Sequence, residues 1–334
     1  MRTSAIALAL LAAVPAAGAD YPQAEISNGL VHATLYLPDA KAGYYRGTRF
    51  DWSGVIAALT YRGHAYFGPW FDQRDPQVHD FEYRGSEIVA GPCSGTMGPV
   101  EEFSSGGVAL GYNDAGPGGT FVQIGVGVLR RPDASAYDRF HPYEIVDPGH
   151  WTVRTGPGWI EFTQQIDDAS GYAYLYRKTL RLVKGKPEML VEHSLRNTGK
   201  RAIALTVYDH NFVVLDHQPP GPGFTVSFPF EIRAAEAPDK ALAEIRGKQV
   251  VYLKKLEGQD RVTAAIQGFG ARPEDYDIRF ANAQAGIAVR VRGDRPLQRV
   301  SLWSIRSNVS VEPFIGVAAA PGKEARWKLT YTFE

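Results

Sequence analysis

Apolar residues recur at every second position through much of this chain, in short runs cut by Gly, Pro, Asn and Asp. The segments 30–37, 122–129, 159–166, 172–183, 188–197, 202–215, 223–232, 249–256, 286–293, 299–305 and 325–333 alternate or are rich in β-branched and aromatic residues, which predicts strands. Turn chemistry separates them, as in Asn197-Thr-Gly199, Lys184-Gly-Lys-Pro187 and Arg292-Gly-Asp294. No window keeps a 3.6-residue apolar period over three turns, so helix is expected only as a short turn near Arg272–Tyr276. So many strands of antiparallel type predict an all-β protein, a large antiparallel β-sandwich. With no internal repeat and no linker, residues 20–334 read as a single domain.

The first residues follow a different pattern. Arg2 precedes an apolar run from Ala5 to Val14, and Ala17-Gly-Ala19 has the small residues of a cleavage site, so 1–19 reads as a signal peptide. The run is shorter than the roughly 20 apolar residues of a membrane span, and no later segment reaches that length. An exported protein, periplasmic or secreted, is therefore expected, without membrane insertion after signal removal and as a monomer. Lys plus Arg number 36 and Asp plus Glu number 36, so no net field attracts nucleic acid. Cys93 is the only cysteine, which excludes an internal disulfide and reads as a small buried hydrophobe.

The common catalytic motifs are absent: no G-x-S-x-G, no phosphate-binding Gly-Lys-Ser/Thr loop, no H-E-x-x-H and no dinucleotide fingerprint. His64, His79 and Asp80 fit no familiar metal spacing and read as loop residues, so no metal and no cofactor are expected. Three features remain. The triplet Asp209-His210-Asn211 interrupts an apolar strand, which puts a titratable imidazole where the chain should be buried. Its plain reading is a hydrogen-bonded core histidine. Glu312, between Val311 and Pro313, reads as a carboxylate at a strand end among apolar neighbours, where burial would raise its pKa; the alternative is an edge glutamate facing water. The segment 43–72 gathers aromatic residues, Trp70 among them, with Arg46 and Arg49, the donors and ring faces that a sugar needs. Singly, each of these rings reads as core.

The stretch 190–216, with its Asn-Thr-Gly turn and a strand ending in His210, resembles the galactose mutarotase (aldose 1-epimerase) superfamily, as does Val311-Glu312-Pro313 followed by Pro321-Gly322 and a terminal strand. The resemblance implies a β-supersandwich with a pyranose site on its concave face. It implies His210 as the acid that protonates the ring oxygen and Glu312 as the base at the anomeric hydroxyl. Arg46 or Arg49 would contact sugar hydroxyls; on such a cleft wall, Asp209 or Asn211 is expected to orient His210 or to satisfy neighbouring backbone. The family's glycine-rich segment with a second histidine has no counterpart; residues 92–107 carry Glu101 and Glu102 there, and Glu101 or Glu102 is a further candidate for the cleft, their plainer reading being an exposed loop pair. The expected function is an exported epimerase of a hexose or oligosaccharide end. A non-catalytic carbohydrate-binding protein, or a lyase using Tyr208 or His210, or a glycosidase with two facing carboxylates, are the alternatives.

Overall fold

A computed structural model describes residues 21–334, the side chains of 168 and 169 excepted; the expected signal peptide lies outside them. Among the described residues the regular secondary structure is nearly all strand, and two sheets dominate. The larger has ten strands and carries Tyr172–Leu182, Glu188–Asn197 and Glu324–Phe333 side by side. The smaller has six, in the order Arg233–Glu236, Arg261–Gln267, Leu297–Ile305, Asn308–Ala319, Ile203–Phe212, Gly98–Ser104. All pairings in both are antiparallel; a single parallel contact joins Gln73–Arg74 to Val89–Ala90 in a small outlying sheet.

The two-residue period sorts the side chains of the six-stranded sheet. Ile203, Leu205 and Val207, with Val309, Val311 and Leu302, enter the apolar layer shared with Leu180, Val191 and Tyr331 of the ten-stranded sheet. Tyr208 and Phe212, with Phe314 and Ile305, point the other way and pack under Tyr45, Phe50, Trp52 and Trp70. Most rings of segment 43–72 are thus core, as each read singly. The Asn-Thr-Gly turn is held by Asn197, whose Oδ1 accepts the Gly199 N–H (2.9 Å) while Nδ2 donates to the Arg201 and Ala319 carbonyls (both 2.8 Å).

The expected strand 122–129 is a hairpin, Thr120–Gln123 followed by Gly127–Arg130. Gly125 turns the chain at φ 78°, and a Cβ there would lie 2.6 Å from the Asp51 carboxylate, so the close approach requires glycine. Segment 223–232 is strand only over Phe224–Ser227, ending before Pro229, which has no N–H for a ladder. The turn near Arg272 is a 3₁₀ turn, Pro273–Asp275. Glu312 stands in the middle of Asn308–Ala319 rather than at a strand end.

Candidate active site

The strand that carries His210 keeps its ladder on one side only. Towards Gly98–Ser104 the pairing continues from Thr206–Ser104 to Phe212–Gly98. Towards Asn308–Ala319 it stops at Tyr208–Phe314 and resumes as a bridge between Val213 and Val309. Pro313, which cannot donate, lies in that interruption. Side chains close the gap: Asn211 Nδ2 donates to the Val311 carbonyl (2.9 Å), His210 Nδ1 meets Ser310 Oγ (2.9 Å), and His210 Nε2 lies 3.3 Å from Glu312 Oε1. Buried polar groups need such partners, because each one left unpaired costs about 1–3 kcal/mol. His210 and Asn211 are therefore tolerated where the backbone ladder opens.

His210 and Glu312 form the floor of a pocket of about 240 Å³. Phe212 stacks on the imidazole at 3.8 Å, and Trp303 meets it edge-on at 5.7 Å. Trp70 lines the same pocket, stacked on Phe212 at 5.2 Å with its indole N–H donated to the Thr96 carbonyl (2.8 Å). Arg49 is clamped between the rings of Phe50 (4.3 Å) and Phe140 (4.7 Å). Its Nε donates to Glu102 (2.6 Å) and its Nη2 to the Tyr208 hydroxyl (3.0 Å), which in turn donates to Glu102 (2.5 Å). Arg139 reaches the other Glu102 oxygen at 3.1 Å.

These surroundings set the protonation states. Burial pushes the Glu312 carboxyl up to about 7; the Arg49 charge opposes this and the Glu102 charge adds to it. Burial, then the charges of Arg49 and Arg139, hold the His210 imidazole well below its ordinary value. Glu102 stays below the usual carboxylate range, because Arg49, Arg139 and the Tyr208 hydroxyl outweigh its burial. These surroundings favour a neutral His210 and a proton held by Glu312 up to about pH 7, with Ser310 Oγ as the partner of His210 Nδ1. The resemblance had placed that proton on His210 for ring opening.

Of the residues singled out in the sequence, the pocket brings together Arg49, Trp70, His210 and Glu312. Arg46 is exposed, donates to the Lys41 carbonyl (2.7 Å) and lies outside it. Glu101, Asp209 and Asn211 point to the opposite face of the sheet. There Lys178 is bonded to Glu101 and to the Ser53 carbonyl (3.0 Å), and His193 Nε2 lies 2.7 Å from Glu101. Burial works to raise the Glu101 pKa, but Lys178 and His193 hold it down to about 2. Burial and the Glu101 charge push the Asp209 carboxyl well above the usual carboxylate range. Asn211 Oδ1 accepts from the Tyr331 hydroxyl (2.8 Å). Strand alternation decides these placements: Tyr208, His210 and Phe212 lie on the pocket side and Val207, Asp209 and Asn211 on the interior side. Ser310 could have been found by the same rule, two residues before Glu312; Phe140 and Arg139, on a loop, carried no such signal.

Among the described residues no cluster of three or more His, Cys, Asp or Glu could hold a metal ion. His64 is bonded to Asp216 (2.8 Å) and His79 to Asp138 (2.7 Å), while Asp80 accepts from Ser94. Cys93 is free and buried. No described helix is long and apolar enough to cross a membrane.

No protein-family model and no curated protein matches the chain. Solved structures do. A galactose mutarotase related enzyme from Lactobacillus acidophilus is 12% identical, with a TM-score of 0.53 over 93% of this chain and 97% of that one. A galactose mutarotase-like protein from Clostridium acetobutylicum is 12% identical, with a TM-score of 0.52 over 93% and 94%. An aldose epimerase homologue from C. elegans is 14% identical, with a TM-score of 0.50 over 93% and 98%. The fold of this protein is that of the galactose mutarotase-like proteins.

Proposed function

We propose that the protein is an aldose 1-epimerase that exchanges the anomers of a sugar by acid–base catalysis, acting outside the cytoplasm after loss of residues 1–19. The observation that carries this reading is the 3.3 Å approach of His210 Nε2 and Glu312 Oε1 on the floor of an aromatic and arginine-lined pocket. The two oxygens that must exchange protons, the ring oxygen and the anomeric hydroxyl, are bonded to one carbon, so the acid and base that serve them must lie close together.

Ring opening uses the pair with its proton on His210. Glu312 takes the proton of the anomeric hydroxyl, the bond between C1 and the ring oxygen breaks, and His210 gives its proton to that oxygen. The open-chain aldehyde turns about C1–C2. In closure the ring hydroxyl attacks the other face of the carbonyl, His210 recovers its proton and Glu312 returns its own to the new anomeric oxygen. The pair holds one proton throughout, and the resting state, with the proton on Glu312, is the state that closure requires. Ser310 accepts Nδ1–H in both states and leaves Nε2 as the exchanging atom.

The test is anomer exchange of freshly dissolved sugars, followed by polarimetry or NMR, with Glu312→Gln and His210→Asn beside wild type. Acceleration by wild type and a loss of about 10²- to 10⁴-fold in each variant are expected. A folded wild type that accelerates none of the neutral or acidic sugars would overturn the catalytic reading. Because Glu312 carries the pair's proton with a pKa of about 7, activity should fall as pH rises through that value.

A further inference from the structure

The charges around the pocket do not balance. Glu102 is shared by two guanidinium groups, Arg49 at 2.6 Å and Arg139 at 3.1 Å. Arg49 commits Nε to Glu102 and Nη2 to Tyr208, and no hydrogen bond among the described residues engages its Nη1. Arg261 lines the same pocket from the first position of its strand, exposed. Its side chain makes no hydrogen bond or ion pair among the described residues, and its guanidinium carbon lies 5.9 Å from the Phe81 ring. The Asp80 carboxylate, also on the pocket wall, accepts the Ser94 hydroxyl. The guanidinium groups of Arg49, Arg139 and Arg261, with the Arg299 charge also acting on Glu312, thus outnumber the two carboxylates, Asp80 and Glu102, around the His210–Glu312 pair. With a single proton on either member that pair adds no net charge, and positive charge is left in excess.

We infer that the pocket takes an acidic monosaccharide, a hexuronic acid whose carboxylate lies against Arg261 and the free edge of Arg49. This rests on the carbohydrate reading of the pocket and narrows it to a substrate class. A carboxylate supplies one negative charge and a planar pair of acceptors suited to guanidinium donors. A phosphate monoester brings about 1.5 to 2 negative charges and three acceptor oxygens in place of that planar pair. The size agrees: 240 Å³ is below the roughly 300–1,000 Å³ of pockets for drug-sized ligands and suits one sugar ring. Arg261, exposed at the mouth, would also draw an anion inward before it docks.

The experiment is calorimetric titration of the full mature chain, at low ionic strength, with D-glucuronate, D-galacturonate, D-glucose, D-galactose and D-glucose 6-phosphate. Wild type is compared with Arg261→Ala, whose melting temperature is measured alongside. A uronate should bind at least about tenfold tighter than its parent hexose, a preference of about 1.4 kcal/mol. The preference should shrink to within about threefold in Arg261→Ala, and shrink in wild type as salt is raised. Equal binding of uronate and hexose, tighter binding of the phosphate, a preference that survives Arg261→Ala, or no binding of any of the five would overturn the inference. Uronate binding without anomer exchange would uphold it while the catalytic reading falls. Exchange of neutral hexoses with no uronate preference would do the reverse.

Discussion

Glu101 lies directly opposite Asp209 in the ladder between Gly98–Ser104 and Ile203–Phe212, and one step along, Glu102 lies opposite Tyr208. The first pair faces the interior with Lys178 and His193; the second faces the pocket side with Arg49 and Arg139. Two polar layers, one residue apart in sequence, are therefore separated by the thickness of a single sheet. Each layer has its own cations, and each can be disturbed separately.

In the interior layer, Lys178 is the cation that lets Glu101 stay ionised, with Asp51 3.8 Å away. Lys178→Met should destabilise the fold by about 3–5 kcal/mol, since it leaves a buried charge uncompensated. Adding Glu101→Gln should recover much of that loss. Urea unfolding of the single and double variants measures both, and wild-type stability in Lys178→Met would contradict the ion-pair account.

Glu312 couples the pocket to stability. Its pKa rises from 4.5 to about 7 on folding, so folding favours the protonated form. The contribution is fully present below the unfolded value and is lost as pH rises through about 7; the total is on the order of 3 kcal/mol. Glu312→Gln, which cannot ionise, should therefore gain on wild type between pH 5 and pH 8 in a series of denaturant melts. A constant difference across that range would show that Glu312 does not titrate with folding.

Ser310 is fully buried and positions His210 through Nδ1. Ser310→Ala should lower kcat about tenfold, the loss of roughly one hydrogen bond at the imidazole, and leave KM nearly unchanged because the serine is not part of the pocket lining. The ¹⁵N shifts of His210 should move as the tautomers mix. Unchanged shifts with lowered kcat would place the effect elsewhere.

Arg49 uses its planar fork on two partners at once, and lysine cannot reproduce this. Arg49→Lys should cost about 1.5–3 kcal/mol of stability and weaken sugar binding, while Arg46→Ala, at an exposed residue outside the pocket, should leave binding at the wild-type level. Titration of both variants with one sugar separates the two arginines.

The sheet architecture was legible because alternation is a local property: strand 188–197 was read to the residue. His210 and Glu312 were legible as polar residues in apolar runs, and they do meet. Which of Glu101 and Glu102 faces the pocket was not, since adjacent residues on one strand differ only in parity, and parity is fixed by the partner strand. The mid-strand place of Glu312 was hidden by Pro313. A proline marks a strand end unless the neighbouring ladder is already open, and that opening depends on residues about a hundred positions away in the chain. Phe140 and Arg139 belong to a loop, where no period exists to read.

The open stretch of ladder between Tyr208–Phe314 and Val213–Val309 has a consequence for how this chain can vary. Substitutions there change one contact at a time. Insertion or deletion of a single residue between 205 and 209 would instead exchange the parity of everything beyond it, carrying the imidazole into the dry interior and an acid into the pocket. A replacement there disturbs one layer, whereas a change in chain length would cost both layers at once.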